Sequence, residues 1–499
     1  MSRADPHPTS AALARATAAE LADDLAAGRT TSVEVTGTLL ERIAAVDGPG
    51  AAYLRAVLAL SPDALETAAQ LDAERAAGHV RGPLHGVPVM VKDNIEAVGL
   101  PGSAGSLALA DRTVTRDAPL VARLREAGLV ILAATNLSEW ANIRSSRSTS
   151  GWSALGGLTG NPWALDRSAG GSSSGSGAAV AGGLTPLAIG TETDGSITCP
   201  SSLNGCVGLK PTVGLIPTTG IVPISGSQDA PGPMSRTVRD AGLLLDALTG
   251  AEDYGAACGS ASLPDVPLGV AEGWLTGHPK TDELFHATLD RLRVAGAKIS
   301  TADVPSPEQI GADELTVLLA ELQTDLDAYL AARAGDGPRS LAEIVAFNRE
   351  HASSELAHFG QELFEQALES GGRTAPAYAE ARARCLRWAV DECLEPVMAA
   401  DGAPRLLVAP AYTPAWKSDL VTGDHLAGGG SASPAPSIAG WPVLCLPMGL
   451  VGGLPVGMVL IGPPQSEARL LAAGHAIEAC LDLGAGGTFT PTWAPAGRG

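Results

Sequence analysis

The sequence has few basic residues for its length. It holds 33 lysine and arginine residues against 54 aspartate and glutamate residues, a formal net charge of -21 at pH 7. Nucleic-acid binding depends on lysine and arginine contacts to phosphate, so a polyanionic partner would meet net repulsion here. We therefore expect no nucleic-acid partner.

Cysteine is also scarce. The seven cysteines are odd in number, scattered, and never arranged as a CxxC pair. Disulfide frameworks need an even set, and structural zinc sites need closely spaced ligands. We expect reduced thiols, no metal site and no cofactor.

Long apolar runs are missing. No uninterrupted run approaches the roughly 20 residues that cross a bilayer as a helix. The first residues, MSRADPHPTSAALARATAAELADD, contain no apolar core of signal-peptide length. For the chain as given we expect a soluble, cytoplasmic protein without membrane contact.

Alternating apolar segments predict an α/β fold. Residues 87–91 and 129–134 have the apolar content of short buried strands, and 118–128 has a helical pattern. A chain of 499 residues with 45% hydrophobic content can bury a large core, and its length alone suggests two or three domains.

Long helical patterns dominate residues 279–400, and strand patterns return in 401–499 before a last helix. We predict that 279–400 forms a helical cover inserted in the sheet. The C-terminal strands and helix are predicted in 401–499.

Two glycine- and serine-rich turns stand out between these regions. Residues 170–177, GGSSSGSG, crowd hydroxyl groups where glycine frees the backbone. Residues 191–196, TETDGS, form a polar turn after an apolar segment at 184–189 that predicts a buried strand. Polar turns at strand ends are typical of functional sites.

These turns resemble a known family. Segments 170–181 and 190–200 are similar to the amidase signature family of serine hydrolases. Segment 85–106, HGVPVMVKDNIEAVGLPGSAGS, resembles the family's lysine segment, and 437–463 resembles its C-terminal strand pair. The match therefore extends over nearly the whole chain.

The resemblance implies one α/β domain over 1–499, a twisted mixed β-sheet flanked by helices, with the signature core at 83–250. It implies a monomer or homodimer that acts on a small-molecule or peptide amide.

Residue roles follow from the same resemblance. Lys92 matches the catalytic lysine, Ser172 the bridging serine, and Ser196, 24 residues later, the nucleophile. The family also implies a non-proline cis peptide bond before Ser172. Backbone N–H groups of four residues are expected to form an oxyanion hole: Thr193, Asp194, Gly195 and Ser196. Structural support is expected from Gly171, Ser173 and Ser174.

A neutral lysine can replace the histidine that usually carries the proton in serine hydrolases. Burial disfavours the charged form of lysine, and lowering its pKa from about 10.4 to about 7.5 costs about 4 kcal/mol. None of the nine histidines falls inside the signature stretch, and His85 near Lys92 is predicted to be structural.

Other interpretations of the same residues stay open from the sequence alone. Lys92 is also compatible with a surface lysine, Ser172 with a helix N-cap, and Ser196 with an ordinary turn serine. Residues 171–175, GSSSG, formally fit the GxSxG elbow of α/β-hydrolases with Ser173 as nucleophile. That alternative would need His425 or His475 as its base.

Two positions depart from the family pattern. Asp194 stands where many members have glycine, and we expect its carboxylate to point away from the oxyanion, toward a cationic substrate group. Thr198 stands where many members have arginine, so carboxylate-bearing small substrates are disfavoured.

Longer segments such as 146–153, 212–234 and 407–416 resemble family members that remove the C-terminal amide of peptides. Fatty-acid or aryl amides are the alternative substrates, although the 4% aromatic content leaves few rings to line an aliphatic channel. A partner-dependent glutamine amidotransferase subunit is the alternative of another class.

Overall fold

A mixed sheet of eleven strands runs through the molecule. The computed structural model describes residues 8–48, 54–251, 253–398, 405–430 and 432–482. The strands are β1 (Val57–Leu60), β2 (Pro88–Lys92), β3 (Val130–Thr135), β4 (Trp152–Ser153), β5 (Gly157–Leu158), β6 (Gly160–Asn161), β7 (Ala164–Ser168), β8 (Leu187–Glu192), β9 (Val207–Lys210), β10 (Ala230–Ser235), β11 (Leu268–Ala271), β12 (Ile299–Ala302), β13 (Leu406–Pro410), β14 (Val443–Val451) and β15 (Leu454–Ile461).

Helices are interspersed with these strands along the chain. They are α1 (Ser10–Arg15), α2 (Ala18–Ala26), α3 (Ser32–Val46), α4 (Ala64–Ala76), α5 (Leu107–Ala110), α6 (Pro119–Glu126), α7 (Ser174–Ala181), α8 (Thr198–Asn204), α9 (Val238–Thr249), α10 (Tyr254–Ala257), α11 (Pro279–Val294), α12 (Gly311–Ala332), α13 (Leu341–Glu350), α14 (Ala352–Glu355), α15 (Glu362–Glu369), α16 (Pro376–Leu386), α17 (Glu395–Met398), α18 (Pro434–Ala439) and α19 (Glu467–Leu481). A π-helical stretch, Arg387–Leu394, joins α16 to α17.

The strand order in the main sheet is β1-β3-β2-β8-β10-β9-β14-β15-β13-β11-β12. Strand β2 pairs in parallel with both β3 and β8, and β11 pairs in parallel with β12 and β13, while the other neighbours are antiparallel. The predicted fold class, a single α/β domain with a mixed sheet flanked by helices, is confirmed.

Parallel pairing decides where the polar turns meet. Strands β2, β3 and β8 are buried along their whole length and end at Lys92, Thr135 and Glu192. Because carboxyl ends of parallel strands lie at one edge of a sheet, the segments that follow these three strands come together there.

A separate apolar cluster joins the helices that follow β12 to this edge. Helices α12, α13 and α15 bury their apolar faces against Trp140 and Val222. Among the described residues, no helix is both long and apolar enough to cross a membrane.

The structure differs from the predicted start of the helical cover at 279. Helix α11 buries Phe285, Leu289 and Leu292 in the main core, and β12 pairs with β11 at the edge of the sheet. Helix α11 thus forms the crossover of a parallel β-α-β unit, and the cover helices begin with α12. The C-terminal region contains β13, β14, β15 and α19 as expected, and residues 483–499 lie outside the described residues.

Candidate active site

Lys92 is fully buried at the end of β2. Its Nζ lies 2.8 Å from Ser172 Oγ, 2.8 Å from Thr191 Oγ1 and 3.2 Å from the Thr191 carbonyl oxygen. Burial lowers the pKa of Lys92 to about 7, although the carboxylates of Asp229 and Glu192 act in the opposite direction. A lysine with this pKa is largely neutral just above neutral pH and can then accept a proton.

Ser172 lies in the turn that precedes α7. It is fully buried, and its peptide bond to Gly171 is cis. A Cβ on Gly171 would collide with the Ser138 hydroxyl, so glycine is required for the chain to pass here. The Ser172 hydroxyl is therefore held against Lys92 by the surrounding backbone.

Ser196 ends the polar turn after β8, and it is 9% exposed whereas Ser172 is fully buried. Its carbonyl oxygen accepts a 3.1 Å hydrogen bond from Ser173 N, which places the two serine turns side by side. A substrate that reaches this edge of the sheet meets Ser196 before Ser172.

The turn that contains Ser196 exposes backbone donors. Gly195 has a φ of 83°, a left-handed conformation that favours glycine. Within the described part of the chain, the N–H groups of Asp194, Gly195 and Ser196 have no protein acceptor. Successive free N–H groups in a tight turn make a concave site for a negatively charged oxygen.

The other predicted support residues surround the same turn. Ser173 Oγ donates to the Thr191 carbonyl oxygen at 3.1 Å and accepts from Thr191 N at 3.2 Å, joining the end of β8 to the start of α7. Ser174 Oγ donates to the Gly170 carbonyl oxygen at 2.5 Å. Both hydroxyls form hydrogen bonds with backbone groups, so they can stabilise the conformation of the turns.

A family model described as Amidase matches residues 34–471. The chain belongs to the amidase signature family. A glutamyl-tRNA(Gln) amidotransferase subunit from Salinispora tropica is 35% identical over 506 residues, covering 95% of this chain and 98% of the relative.

Solved structures of the family are more similar still. The native peptide amidase from Stenotrophomonas maltophilia is 41% identical, with a TM-score of 0.88 over 96% of this chain and 98% of its own. A peptide amidase in complex with the competitive inhibitor chymostatin is 42% identical, with a TM-score of 0.87 over 93% of this chain and 97% of its own. The chain is an amidase.

In this amidase, the Asp194 carboxylate points away from the free N–H groups, toward α18. It accepts hydrogen bonds from the Ser433 hydroxyl and, at 3.3 Å, from Ser437 Oγ. Burial raises its pKa to about 6, with Glu192 adding to the effect. The sequence analysis expected a cationic substrate group beside this carboxylate. In the structure its direct partners are two serine hydroxyls of the protein.

Thr198 is bound within the protein. Its N–H donates to Glu192 Oε2 at 2.8 Å, and its hydroxyl lies 3.3 Å from the same oxygen. Ile197 N donates to that oxygen at 2.6 Å. The Glu192 carboxylate therefore occupies the position beside Thr198, and an anion would be repelled there.

The histidines lie apart from the serine turns. His85 is fully buried, with Arg81 N donating to its Nδ1 at 3.2 Å and its Nε2 lying 2.9 Å from the Leu71 carbonyl oxygen. His425 lies 2.6 Å from Thr422 Oγ1, and His475 lies 3.8 Å from Glu478. The elbow alternative with Ser173 thus lacks a histidine among its described contacts.

The described residues contain no group of histidine, cysteine and carboxylate side chains arranged to hold a metal ion. Burial raises the pKa of the Cys199 and Cys206 thiols near this edge to about 12, so both are unreactive as thiolates at neutral pH.

Several residues that contact Lys92 or the turn formed by residues 191–196, here called the catalytic turn, were not found from the sequence. Thr191 binds Lys92 directly, and Asn94 Nδ2 donates to Thr191 Oγ1 at 3.0 Å. Asp229 Oδ1 accepts from Thr193 Oγ1 at 2.6 Å, and Gln228 Nε2 donates to the Thr193 carbonyl oxygen at 3.3 Å. All four side chains lie in segments that resemble the family, 85–106, 190–200 and 212–234, but the resemblance did not indicate which of their side chains face the site.

Proposed function

We propose that this amidase removes ammonia from the C-terminal amide of peptides through an acyl-enzyme on Ser196, with Ser172 and Lys92 carrying the proton. The observation on which the proposal rests is the 2.8 Å contact between a fully buried Lys92 Nζ and Ser172 Oγ, next to the turn that ends at Ser196, which is 9% exposed. A neutral amine in contact with a hydroxyl is a proton acceptor that works without histidine.

The proposed proton path begins at the 2.8 Å contact between Lys92 Nζ and Ser172 Oγ. Neutral Lys92 takes the proton of Ser172, and Ser172 takes the proton of Ser196 as its Oγ attacks the amide carbon. The same proton then returns to the leaving nitrogen, the carbon–nitrogen bond breaks, and ammonia departs. A water molecule then attacks the ester formed on Ser196, protons move along the same three residues to return Ser196 to its hydroxyl form, and the free acid is released.

The tetrahedral intermediate places a negative charge on the former carbonyl oxygen. Free N–H groups of Asp194, Gly195 and Ser196 provide donors for it, and Thr193 completes the proposed oxyanion hole. Loss of one such donor typically costs about 3 kcal/mol of transition-state stabilisation. Gly171, Ser173 and Ser174 support the two turns in this mechanism.

The substrate assignment draws on likeness and on charge. Two peptide amidase structures are 41% and 42% identical to this chain over at least 93% of its length. The surroundings of Ser196 carry the carboxylates of Glu192 and Asp194, while burial together with Asp194 raises the pKa of Glu314 to about 8, so Glu314 is mostly protonated and neutral at pH 7. Such surroundings favour a neutral or cationic acyl group over an anionic one.

A partner-dependent amidotransferase subunit is a second candidate, favoured by the 35% identity to a glutamyl-tRNA(Gln) amidotransferase subunit. Glutamine carries an α-carboxylate, which needs a cationic partner at the site. Glu192 stands beside Thr198 instead, which argues against glutamine as the substrate.

The test supplies the purified chain alone with five compounds: a peptide amide, its free acid, a longer peptide that contains the same sequence internally, glutamine, and oleamide or benzamide. Products are followed by mass and by ammonia release, with Ser196→Ala as the control. Ammonia from the peptide amide with the free acid and longer peptide intact supports the proposal. Internal cleavage, preference for oleamide or benzamide, or ammonia from glutamine but not from the peptide amide would overturn it.

A further inference from the structure

A short loop, residues 224–229, lies between the catalytic turn and the cover helix α12. On the α12 side, Glu321 Oε2 accepts from Ser225 Oγ at 2.6 Å, and Asp325 Oδ2 accepts from Gly226 N at 2.9 Å. On the catalytic side, Gln228 and Asp229 both bind Thr193. The loop therefore transmits the position of α12 to the oxyanion turn.

Asp229 is the centre of this connection. One carboxylate oxygen accepts from Thr193 Oγ1 at 2.6 Å, and the other accepts from Ile224 N at 2.8 Å and Ser225 N at 3.0 Å. Both oxygens are thus used, one for the catalytic turn and one for the loop. Two backbone donors fix the orientation of the Asp229 carboxylate, and the carboxylate can therefore fix the position of the Thr193 hydroxyl.

Asp229 and Thr191, the threonine that binds Lys92 Nζ, line the same small cavity. It is lined by Asn94, Thr191, Thr193 and Asp229 among others, and its volume of about 10 Å³ is room for about one water molecule. Asn94 is 3% exposed, and its Oδ1 is buried without a hydrogen-bond partner among the described residues. The cavity thus combines a carboxylate with an unsatisfied buried acceptor.

The hydrogen bonds of Thr191 indicate that a water molecule fits this cavity. Its Oγ1 accepts from Lys92 Nζ and from Asn94 Nδ2, so its own proton must go to a third group. A water in the cavity can accept that proton while donating to Asn94 Oδ1 and to the Asp229 carboxylate. Such a water would give Asn94 Oδ1 the hydrogen-bond partner that it lacks among the described residues and would accept the Thr191 proton.

We propose that Asp229 is a positioning residue for amide hydrolysis, which holds Thr193 in the oxyanion turn and, through a water in the cavity, orients the Thr191 hydroxyl against Lys92. This inference rests on the proposed function of Lys92 and Ser196. Asp229 touches none of the reacting atoms, so its effect reaches the reaction through Thr193 and Thr191.

Asp229 also contributes charge. The ionisable groups that act on Lys92 are Asp229 and Glu192, while Ser172 and Thr135 are neutral neighbours from the serine turn and β3. Asp93, next in the chain, turns its carboxylate to the N–H groups of residues 102 and 103. Removing the Asp229 charge therefore makes Lys92 lose its proton at lower pH.

The experiment measures kcat and KM against pH for the full chain and three variants. Asp229→Asn is expected to lower kcat by about 10- to 100-fold with little change in KM, and to move the acid limb of kcat/KM down by about one pH unit. Thr193→Val should lower kcat without moving the limb. Asp246→Asn is the matched control, because its carboxylate also accepts from two backbone N–H groups, those of Tyr254 and Gly255, but has no contact with the loop or with Thr193, and it should leave both quantities unchanged.

The outcomes of this experiment distinguish a failure of the role of Asp229 from a failure of the proposed function. Wild-type kcat and an unmoved limb in Asp229→Asn would overturn it, as would equal losses in Asp229→Asn and Asp246→Asn with no movement of the limb. If Asp229→Asn does not fold, Asp229→Glu keeps the charge but displaces Thr193, so kcat should fall while the limb stays. Lys92→Ala in the same assay distinguishes the two claims: activity there refutes the proposed mechanism, and inactivity there with a normal Asp229→Asn refutes only the role of Asp229.

Discussion

Replacing Lys92 by methionine should abolish amide hydrolysis and make the stability of the protein less dependent on pH. Methionine has nearly the same length without the charge. Lys92 is fully buried, and burial lowers its pKa from 10.5 to about 7. Between these values the unfolded chain holds the lysine proton and the folded chain does not, so raising the pH favours the folded wild-type protein.

The magnitude follows from the two pKa values. Because folding removes the Lys92 proton, the free energy of unfolding is lower by about 4 kcal/mol near pH 7 and by about 2 kcal/mol near pH 9. This reduction vanishes above the pKa of the lysine in the unfolded chain. Three hydrogen bonds of Nζ are lost in the variant, but that cost does not depend on proton uptake. The stability of Lys92→Met relative to wild type should therefore fall by about 2 kcal/mol from pH 7 to pH 9.

Urea unfolding followed by tryptophan fluorescence at pH 7, 8 and 9 measures this difference. Lys280→Met, at an exposed position, is the control and should show a constant difference from wild type. A constant difference for Lys92→Met as well would refute the reasoning, because it would mean that Lys92 keeps an ordinary pKa in the folded protein.

Four further outcomes are expected. Ser196→Ala should abolish turnover, Ser172→Ala should leave traces, and the double variant should be no worse than Ser196→Ala, since residues of one proton path are not additive; initial rates of ammonia release measure this. In wild type, kcat/KM should rise through about pH 7 and stay level into the alkaline range, because Lys92 must be neutral in the free enzyme, and a maximum near pH 4 would contradict it. EDTA should leave the rate unchanged, and a chelator-sensitive rate would disprove a metal-free site. Gly195→Ala should cut kcat by about 10- to 100-fold with an unchanged circular dichroism spectrum, since its φ of 83° disfavours a side chain and the Tyr412 hydroxyl lies where the new methyl would go.

The residues of the candidate site that belong to short sequence motifs could be proposed from the sequence. Lys92 follows a strand that its apolar residues predict, and Ser172 and Ser196 belong to motifs 24 residues apart. In the structure, parallel pairing of β2 with β8 brings Lys92 to Thr191, and Ser172 contacts Lys92 from the turn before α7. Because the family pattern contains these spacings, the prediction needed no knowledge of the sheet.

Contacts between distant segments could not be predicted. Asp229 is 36 residues from Thr193, and Gln228 is 86 residues from Glu314. Whether these side chains face the site depends on how the 224–229 loop packs between β8 and α12. The partners of Asp194 on α18 lie more than 200 residues away and were missed for the same reason.

The boundary of the helical cover also depends on tertiary contacts. Helix α11 has the same kind of helical pattern as α12, and nothing local distinguishes a helix that packs on the sheet from one that lies over the site. Only the pairing of β12 with β11 shows that α11 is a crossover helix. The sequence pattern alone therefore could not show that α11 packs in the main core while α12 packs in the separate cluster with Trp140.

The most direct test of the proposed mechanism is to trap the acyl-enzyme. A peptide amide is mixed with the purified chain, quenched in acid within the first turnovers, and the digested protein is examined by mass spectrometry. The mechanism predicts that the peptide containing Ser196 gains the mass of the substrate less ammonia, and that Ser196→Ala gains nothing. An adduct on Ser173 or on a cysteine, or full activity in Ser196→Ala, would contradict it.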